Sequence, residues 1–374
     1  MNFKFSKKTE EFLKIIAKTA QTENVRVFFV GGIVRDCYLK KEIKDIDLIL
    51  EGNAIEFSKK LPSEISIKSI HKDFGTVKLE FFGMDIDLAS TRTEKYPFCG
   101  CLPKVEKIGV NIKDDVKRRD FTVNSLYCEI SIKNDELKYE LIDLVDGIND
   151  INKKTLKVLH KNSYYDDPTR IFRGVNFKYR FDFDFSKEDL KLINQTLKEI
   201  NLENASVDRL KDVFIKTLKS EFQDKIFKEI LEKKYYKILF KNEIKIDFEE
   251  INNIILKFNL NKNEKAEFFY KIFENIAFEF HSFSNKAEEY KYYLKLNNEQ
   301  KAYLFYKTKN KNILTFPNTK FFLTGKKLLE LNYPKGKKIG EILDKVLIKK
   351  LENSDIFKTE SDEIDWVLEN FPKD

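Results

Sequence analysis

The sequence predicts an α+β protein that begins with a head built on a mixed sheet with helices and continues as an all-α chain. Three observations predict this fold class. Short apolar runs typical of buried strands alternate with helical spacing between residues 24 and 90. Beyond Asp114, long segments with helical spacing dominate and strand signals nearly vanish. The 374 residues are enough for two or three domains with a sizeable core.

Turn residues separate the predicted strands of the head. An apolar run up to Val30 ends at Gly31-Gly32, which is typical of a buried strand stopped by a tight turn, and residues 33–41 are predicted as a short helix. Gly83 between two strand-like segments predicts a hairpin. The predicted strands are Val25–Val30, Ile46–Leu50, Thr76–Phe82 and Met84–Leu88. Clear helices of the remainder are Lys187–Ile200, Val207–Leu218 and Asp224–Leu239.

Composition argues against a membrane-spanning or disulfide-built protein. No apolar run is long enough to span a bilayer, and the first residues lack the apolar core of a signal peptide, so we expect a cytoplasmic protein without a membrane partner. The cysteines form no C-x-x-C pair and have no His at ligand spacing, so neither a zinc site nor a disulfide scaffold is indicated. They are Cys37, Cys99, Cys101 and Cys128.

Positive charge concentrates toward the C-terminal end. The net charge of +7 is mild, but residues 301–350 contain thirteen lysines and three acids. A surface for a polyanion such as a nucleic acid explains this cluster. A lysine-rich solvated surface explains it equally well, because this chain uses lysine everywhere, and both interpretations stay open at this point.

Arginine is the more informative cation. Only nine of the 69 basic residues are Arg, and none follows Arg209. Arg is hard to replace where a planar, forked donor must bind phosphate, carboxylate or a base edge. The nine positions are therefore candidate binding residues: Arg26, Arg35, Arg92, Arg118, Arg119, Arg170, Arg173, Arg180 and Arg209.

The segment from Val30 to Asp47 combines features of a phosphate site and a metal site. Gly31-Gly32 allows close backbone approach to a ligand, and Arg35 in the first turn of the next helix can reach a triphosphate. Asp45 and Asp47 stand two apart on a predicted strand, so their carboxylates share a face and suit Mg²⁺. Each feature alone is common, whereas the ordered combination is far rarer by chance.

This ordered combination resembles the signature of the polymerase-β-like nucleotidyltransferases, in the branch of class II CCA-adding enzymes and bacterial poly(A) polymerases. Further segments resemble motifs of that family in the same order: Asp85–Tyr96, Asp115–Ser125, Leu141–Asp150, Asp166–Arg173, Ser206–Arg209, Leu323–Leu328 and Tyr333–Gly340. The resemblance covers nearly the whole chain. It implies a catalytic head at 1–145, a helical neck for base recognition at 146–205, and a helical body and tail for tRNA binding at 206–374.

The resemblance also implies roles for individual residues. Asp45 and Asp47 are the expected catalytic residues and Mg²⁺ ligands. The expected nucleotide-binding residues are Gly32, Arg35, Arg119, Asp167, Arg170 and Arg173. Further candidates are Gly31, Asp87, Arg92, Arg118, Asn124 and Asn176. The chain departs from the family pattern at Lys40, Asp166 and Asn176, and only Asn176, where an Arg is expected, could weaken a nucleotide contact.

Asp167 and Arg170 suggest how a nucleotide could be chosen without a template. They lie three apart on a predicted helix and hence on one face. A carboxylate only accepts and a guanidinium only donates hydrogen bonds, so the pair matches the pairing edge of cytosine or adenine and repels that of uracil or guanine. An ordinary salt bridge between helix residues remains the alternative interpretation.

The resemblance implies an enzyme that adds CCA to the 3′ end of tRNA from CTP and ATP, with two-metal catalysis and release of pyrophosphate. Its expected partner is the tRNA 3′ end with the acceptor and T arm, and the sequence carries no signal for an oligomeric state. Alternatives are an A-adding or CC-adding enzyme, a poly(A) polymerase, or a non-catalytic RNA-binding protein. Segment 68–82 resembles the CCA type more than the poly(A) type, and the complete loop 96–106 favours an enzyme that can add A.

Overall fold

The computed structural model of the protein describes residues 1, 3–43, 45–200, 202, 205–240, 243–244, 246–274, 283–316, 319–353 and 356–372. The chain falls into two compact units, residues 1–241 and 242–374. The first unit contains the predicted head and neck and the first helices of the predicted body; the finer division into three parts stays a prediction. Within the described ranges, no helix is long and apolar enough to cross a membrane.

A mixed sheet organises the first unit. Its strand order is β3-β4-β5-β2-β1-β8-β9, with β2 and β5 parallel and the other neighbours antiparallel. The strands are β1 (Val27–Val30), β2 (Asp47–Leu50), β3 (Ile65–His71), β4 (Thr76–Phe81), β5 (Met84–Ser90), β6 (Arg92–Lys95), β7 (Lys104–Ile108), β8 (Tyr127–Lys133), β9 (Glu136–Ile142), β10 (Thr155–Leu156) and β11 (Asp184–Phe185). The pairs β6–β7 and β10–β11 form two small separate sheets.

Helices surround this sheet and make up the rest of the described chain. In the first unit they are α1 (Lys7–Thr22), α2 (Gly32–Tyr38), α3 (Ala54–Ser58), α4 (Ile112–Asp115), α5 (Gly147–Asn152), α6 (Ser163–Asp166), α7 (Thr169–Phe181), α8 (Lys187–Glu199), α9 (Val207–Leu218) and α10 (Gln223–Glu232). In the second unit they are α11 (Phe248–Lys257), α12 (Lys262–Glu274), α13 (Lys286–Lys295), α14 (Asn298–Thr308), α15 (Asn312–Thr315), α16 (Gly325–Glu330), α17 (Lys337–Glu352) and α18 (Glu360–Asn370).

The central strands are covered on both faces, which fixes the residues at their ends. On one side Phe28 packs in a cluster with Ile112 and Tyr127, and on the other side Phe29 packs against Phe3. Every residue of β1 is buried, and burying a side chain of this size contributes about 1.5–3 kcal/mol. Gly31 follows β1 directly, and β2 begins at Asp47, so the buried core holds both candidate motifs in place.

The predicted fold class is confirmed, while several element boundaries differ. The hairpin at Gly83 forms between β4 and β5. The predicted helix Asp224–Leu239 is wrong as one element: α10 ends at Glu232, and the left-handed Lys234 (φ 58°) separates it from a short 3₁₀ turn. Strands β8 and β9 lie beyond Asp114, where the sequence predicts almost no strands. Their exposed and half-buried residues interrupt the apolar pattern by which a buried strand is recognised.

The second unit is helical, and its C-terminal part has a core of its own. Seven buried residues form this core, among them Leu328, Ile342 and Val367. A buried ion pair joins Lys350 to Glu363 at 2.5 Å. Glu363 also accepts hydrogen bonds from the backbone amides of residues 322 and 323. Both carboxylate oxygens of Glu363 thus have partners, as a charge taken out of water requires.

Candidate active site

One face of the seven-stranded sheet forms the floor of a cavity of about 440 Å³. Eight of the residues predicted from the sequence line this cavity. Its glycines and carboxylates are Gly31, Gly32, Asp47 and Asp87. Its cations and amide are Arg92, Arg118, Arg119 and Asn124. Segments far apart in the sequence therefore meet here, as the motif order predicts.

The two carboxylates of the cavity lie side by side on parallel strands. Asp47 of β2 pairs in register with Asp87 of β5, so both side chains are on the same face of the sheet. Burial raises the pKa of Asp47, and the negative charges of Asp87 and Asp45 raise it further. Asp87 and Asp45 are thus both close enough for their charges to act on Asp47.

Asp45 lies before the strand that contains Asp47, and not within it as expected. The strand begins at Asp47, so Asp45 precedes β2 and is exposed, and a shared face for the two carboxylates stays a prediction. Asp87 takes the place beside Asp47 that the sequence suggested for Asp45. Asp45 remains close enough to influence the pKa of Asp47.

The donor set fits a divalent cation such as Mg²⁺. Asp47 and Asp87 offer carboxylate oxygens, the ligands that Mg²⁺ prefers, and a cation between them would remove the repulsion that raises the Asp47 pKa. Among the described residues, no group of three or more His, Cys, Asp or Glu side chains converges as a complete ligand set. A cation bound here would therefore take its other ligands from water or from a bound phosphate.

The turn after β1 gives the cavity a backbone wall. Gly31 has a φ of 70° and precedes α2, a conformation that favours glycine. A Cβ added at Gly31 would lie 3.6 Å from the Asn124 carbonyl oxygen. That distance is an ordinary van der Waals contact, so glycine is favoured here by the backbone conformation and not by a lack of space.

The buried carboxylate of Asp115 orients two cations of the cavity, Arg118 and Arg119. Its side chain is fully buried. Its Oδ1 accepts hydrogen bonds from Arg118 Nε at 2.9 Å and from the Arg92 backbone amide at 3.0 Å. Its Oδ2 accepts from Arg119 Nη2 at 2.7 Å and from the Tyr127 hydroxyl at 2.7 Å. Asp115 therefore sets the direction of both neighbouring guanidinium groups.

The charges around Asp115 determine its ionisation. Burial alone would raise its pKa, but the guanidinium groups of Arg119 and Arg118 outweigh burial and lower the pKa to about 2. Asp115 is thus ionised at neutral pH. A second buried carboxylate, Glu94, accepts a hydrogen bond from Arg92 Nε at 2.7 Å and pairs with Arg118 at 3.4 Å.

Arg35 does not line the cavity as expected. It is 3% exposed and lies between the rings of Phe177 and Phe181 of α7. Its Nε donates to Asp36, and its Nη1 donates to the Asn124 side chain at 2.8 Å. The predicted direct contact between Arg35 and a triphosphate is not supported by this position, because the guanidinium is enclosed by protein groups.

Arg35 instead begins a chain of polar contacts that ends at Arg173. Asn124 Nδ2 donates to Asp120 Oδ1 at 3.3 Å. Arg173 Nη2 lies 2.6 Å from Asp120 Oδ2. Arg173 is therefore tied to the cavity through Asp120 and Asn124, although it does not line the cavity itself.

Asp167 and Arg170 occupy different positions from those predicted. Helix α7 begins at Thr169, so Asp167 precedes it, and the argument from one helix face is wrong. Asp167 Oδ1 accepts from the Thr169 amide at 3.1 Å, and its Oδ2 pairs with Arg209 at 2.6 Å. The alternative interpretation was a salt bridge between Asp167 and Arg170, but the ion pair that Asp167 forms is with Arg209.

Arg170 is equally enclosed. It is 2% exposed, donates to the Ser163 hydroxyl, and donates to the Arg118 carbonyl oxygen at 2.8 Å. The Tyr96 ring lies over its guanidinium, 5.9 Å from centroid to Cζ. Asn176, the last predicted residue, accepts from the Ser220 hydroxyl at 2.9 Å and is away from the cavity.

A second cavity of about 940 Å³ lies next to the first, and Arg118 lines both. Tyr96, His160 and Asp166 are among the residues that line it. Burial raises the pKa of Tyr96 to about 12, and burial beside Arg170 lowers the pKa of His160. The hydroxyl and the imidazole of this cavity are thus held in their neutral forms.

Several residues of the site carry only a weak signal in the sequence. Ser69, His71, Thr76 and Lys78 of β3 and β4 line the first cavity, and Asp115 was seen only as part of a motif. The alternation of polar Thr76, Lys78 and Glu80 along a half-buried strand was the available signal. The pairing of that strand with β5, which the sequence indicates only loosely, decides which of these residues reach Asp87.

The structure combines a mixed-sheet head, in which two carboxylates lie beside a glycine turn, with a helical remainder. Comparison with known proteins shows which proteins share this combination. The family model "Poly A polymerase head domain" matches residues 27–157. The described chain has the fold of a CCA-adding enzyme in its apo form, with a TM-score of 0.74 and 24% identity over 98% of this chain and 96% of that one.

Two further relatives are similar to this chain. The A-adding tRNA nucleotidyltransferase of Aquifex aeolicus is 37% identical over 50% of this chain and 22% of its own length. A CCA-adding enzyme in complex with CTP is 25% identical, with a TM-score of 0.72, over 99% of this chain and 96% of its own. The chain spans between 22% and 49% of the length of the first curated relatives that it matches.

Proposed function

We propose that the protein is a tRNA nucleotidyltransferase that adds CMP and AMP from CTP and ATP to the 3′ end of tRNA and releases pyrophosphate. One observation carries the proposal. A single cavity joins the in-register pair Asp47 and Asp87, the Gly31-Gly32 turn, and two arginines oriented by Asp115. These are the groups that transfer of a nucleotide from a triphosphate needs.

Asp47 and Asp87, with Asp45 nearby, would hold Mg²⁺ on the floor of the cavity. When bound, one or two such ions would promote deprotonation of the attacking 3′-hydroxyl and neutralise charge on the leaving group. The position of Asp47 and Asp87 side by side in the cavity supports this assignment, as does the raised pKa of Asp47, which comes first from burial and then from the negative charges of Asp87 and Asp45.

Arg118 and Arg119 would bind the phosphates. Both line the cavity, and both are fixed by Asp115 before any ligand arrives. Preorganised donors of this kind stabilise developing charge without a reorganisation cost at the moment of reaction. Asn124, held by Arg35 and Asp120, would position the turn at Gly31 against the phosphates.

Asp167 and Arg170 would read the base. Both are buried in the described structure, so reading a base requires a movement that opens them, and Arg209 must then release part of Asp167. One guanidinium nitrogen of Arg209 is buried without a hydrogen-bond partner. Such an unsatisfied donor is costly and supports a polar ligand next to Asp167.

A second candidate function is addition of the terminal A alone. Three relatives above 30% identity, from Aquifex aeolicus, Geobacter sulfurreducens and Halalkalibacterium halodurans, are A-adding tRNA nucleotidyltransferases. The CCA-adding relatives of Lactobacillus johnsonii and others are 26–28% identical. Both candidates share the AMP step, and the whole-chain fold match to CCA-adding enzymes supports the complete reaction.

The test is a product ladder. tRNAs that end before, within and after CCA are given CTP and ATP singly and together. Complete CCA addition requires both C steps on a tRNA lacking all three nucleotides. Growth only of tRNAs ending in CC favours the A-adding candidate, and a long A tail on any end favours a poly(A) polymerase. Absence of growth on every tRNA would contradict the proposed function.

A further inference from the structure

Four polar side chains form one row across the sheet and through the proposed site. Ser69 of β3 pairs with Lys78 of β4, Lys78 pairs with Asp87 of β5, and Asp87 pairs with Asp47 of β2. Directly paired residues on neighbouring strands point to the same face. All four residues line the cavity of about 440 Å³, and the pairing register thereby defines the order of their side chains.

The carboxylates divide this cavity into two sides. On the β1 and β8 side lie the Gly31-Gly32 turn and Arg119, whose Nε donates to the Tyr127 hydroxyl of β8 at 2.8 Å. On the β4 and β3 side lie Lys78 and Ser69. Neighbouring strands are about 4.8 Å apart, so the two sides are separate positions several ångströms from each other.

The chemistry of the proposed reaction assigns a direction to these sides. In nucleotidyl transfer the attacking and leaving oxygens stand roughly in line on opposite sides of phosphorus. The Gly31-Gly32 turn and Arg119 suit the triphosphate and hence the leaving pyrophosphate. The 3′-hydroxyl of the RNA must then approach from the β4 and β3 side, with the rest of the RNA strand behind it.

We propose that Lys78, assisted by Ser69, binds the phosphodiester that precedes the 3′-terminal nucleotide of the acceptor RNA. This inference rests on the proposed function and adds the position of the acceptor strand. Lys78 is 42% exposed, and its Nζ lies 3.1 Å from Asp85 Oδ2. An ion pair at such an exposed position is weak, so the ammonium can turn to a phosphate that enters the cavity.

The chain offers a matched control in Lys68. Its Nζ lies 2.7 Å from Asp85 Oδ1, and its side chain is 50% exposed. The two lysines therefore share one carboxylate partner and similar exposure, but Lys78 lines the cavity and Lys68 does not. Lys78→Met and Lys68→Met each remove one positive charge beside Asp85, and only the first removes a group from the proposed subsite.

The first measurement separates RNA binding from nucleotide binding. Lys78→Met should raise the apparent KM for tRNA roughly tenfold, the loss expected for one charged hydrogen bond. The salt dependence of log KM should become shallower by about 0.7, the contribution of one single-strand phosphate. The Kd for CTP or ATP without RNA should stay unchanged. Lys68→Met should match the wild type in all three quantities.

The second measurement identifies the phosphate. A tRNA with a neutral methylphosphonate at its last internucleotide linkage should react roughly tenfold less well with the wild type, whereas Lys78→Met should show almost no further loss. If Lys78→Met and Lys68→Met are as sensitive to the neutral linkage as the wild type, the inference is wrong although transfer persists. A wild-type protein that extends no tRNA would overturn the proposed function itself.

Discussion

The arginines of the first unit and the lysines of the second unit use positive charge in two different ways. Arg118 and Arg119 are largely buried, and both bind the fully buried Asp115. Between residues 301 and 350 the positive charge is instead spread over thirteen lysines. The exposed members of that group are Lys309, Lys311, Lys320, Lys326, Lys335, Lys337, Lys338 and Lys345.

This difference matches what each kind of ligand contact requires. A reacting phosphate needs donors that are aimed before it binds, because reorganising them would raise the barrier. An RNA duplex is bound largely through the density of positive charge, which attracts phosphates over several ångströms and depends strongly on salt. One lysine of the cluster is an exception, since Lys350 is buried against Glu363 and serves the core.

The largest effect should come from the carboxylates of the first unit. Asp47→Ala removes a residue that would hold Mg²⁺, so nucleotide addition should fall by orders of magnitude. Affinity for tRNA should stay nearly unchanged, because we expect that binding to depend on the distributed lysines. Single-turnover addition and a filter-binding titration measure the two quantities. Near-normal turnover of Asp47→Ala would contradict the metal assignment, and Asp135→Ala, which removes an exposed carboxylate between β8 and β9, is the control.

Asp115→Asn tests whether the arginines must be fixed. The variant keeps the shape of the side chain but removes the counter-charge that Arg119 and Arg118 share, and Glu94 remains as a partner only for Arg118. Breaking such a pair costs about 3–5 kcal/mol of unfolding free energy. Addition should fall about a hundredfold, the effect of misplacing a group that stabilises developing charge. Asp114→Asn, which removes an exposed partner of Lys117, should change neither quantity.

Asp115 also predicts a pH dependence of stability. Its folded pKa of about 2 lies below the unfolded value of about 3.9. Its stabilising contribution is therefore complete above the unfolded pKa and is lost as pH falls through the folded one. Wild-type protein should lose more unfolding free energy than Asp115→Asn between pH 5 and pH 2, by about 2–3 kcal/mol. Equal losses in chemical denaturation would show that another carboxylate is responsible.

The same contrast explains what the sequence could and could not predict. The motif order correctly brings Asp47, Arg119 and Gly32 into one cavity, because their residue types and sequence order carry the information. The burial of Arg35 could not be predicted from the sequence, because it depends on Phe177 and Phe181, which come from a helix far along the chain.

The remaining differences come from one helix boundary and from the register of one strand pair. Asp167 could not be placed correctly because the helix begins two residues later, at Thr169, and this boundary decides which way the carboxylate points. Lys78 escaped notice because its contact with the cavity depends on strand register, and a register shift near Ile67 interrupts the pairing of β3 with β4. The sequence thus indicates which residues form the site, whereas the direction and burial of their side chains depend on packing.

A smaller effect is expected from the residues proposed to read the base. Asp167→Ala and Arg170→Ala should each lower the selectivity for CTP and ATP over UTP and GTP by roughly tenfold to a hundredfold, the worth of a bidentate base contact of about 1–3 kcal/mol. Single-turnover addition of each nucleotide to the same tRNA measures this selectivity. Variants that keep full selectivity and only become slower would show that both side chains are structural.

The smallest effect should come from single groups of lysines in the second unit. Lys335, Lys337 and Lys338 are exposed around the first turn of α17. Cations at this end of a helix are slightly unfavourable, by about 0.3–1 kcal/mol at low salt. Their replacement by Gln should therefore leave the unit folded, and a loss of tRNA binding would be due to the missing charges.

The triple Gln variant should bind tRNA a few-fold more weakly at low salt, with less difference at high salt. The slope of log Kd against log salt should become shallower by about 0.7–0.9 for each phosphate that the variant no longer neutralises. Replacing Lys14, Lys18 and Lys138, three exposed lysines of the first unit, makes the same change in net charge. If both triple variants weaken binding equally, tRNA responds to the overall charge of the protein, and the contrast between fixed arginines and a dedicated lysine surface fails.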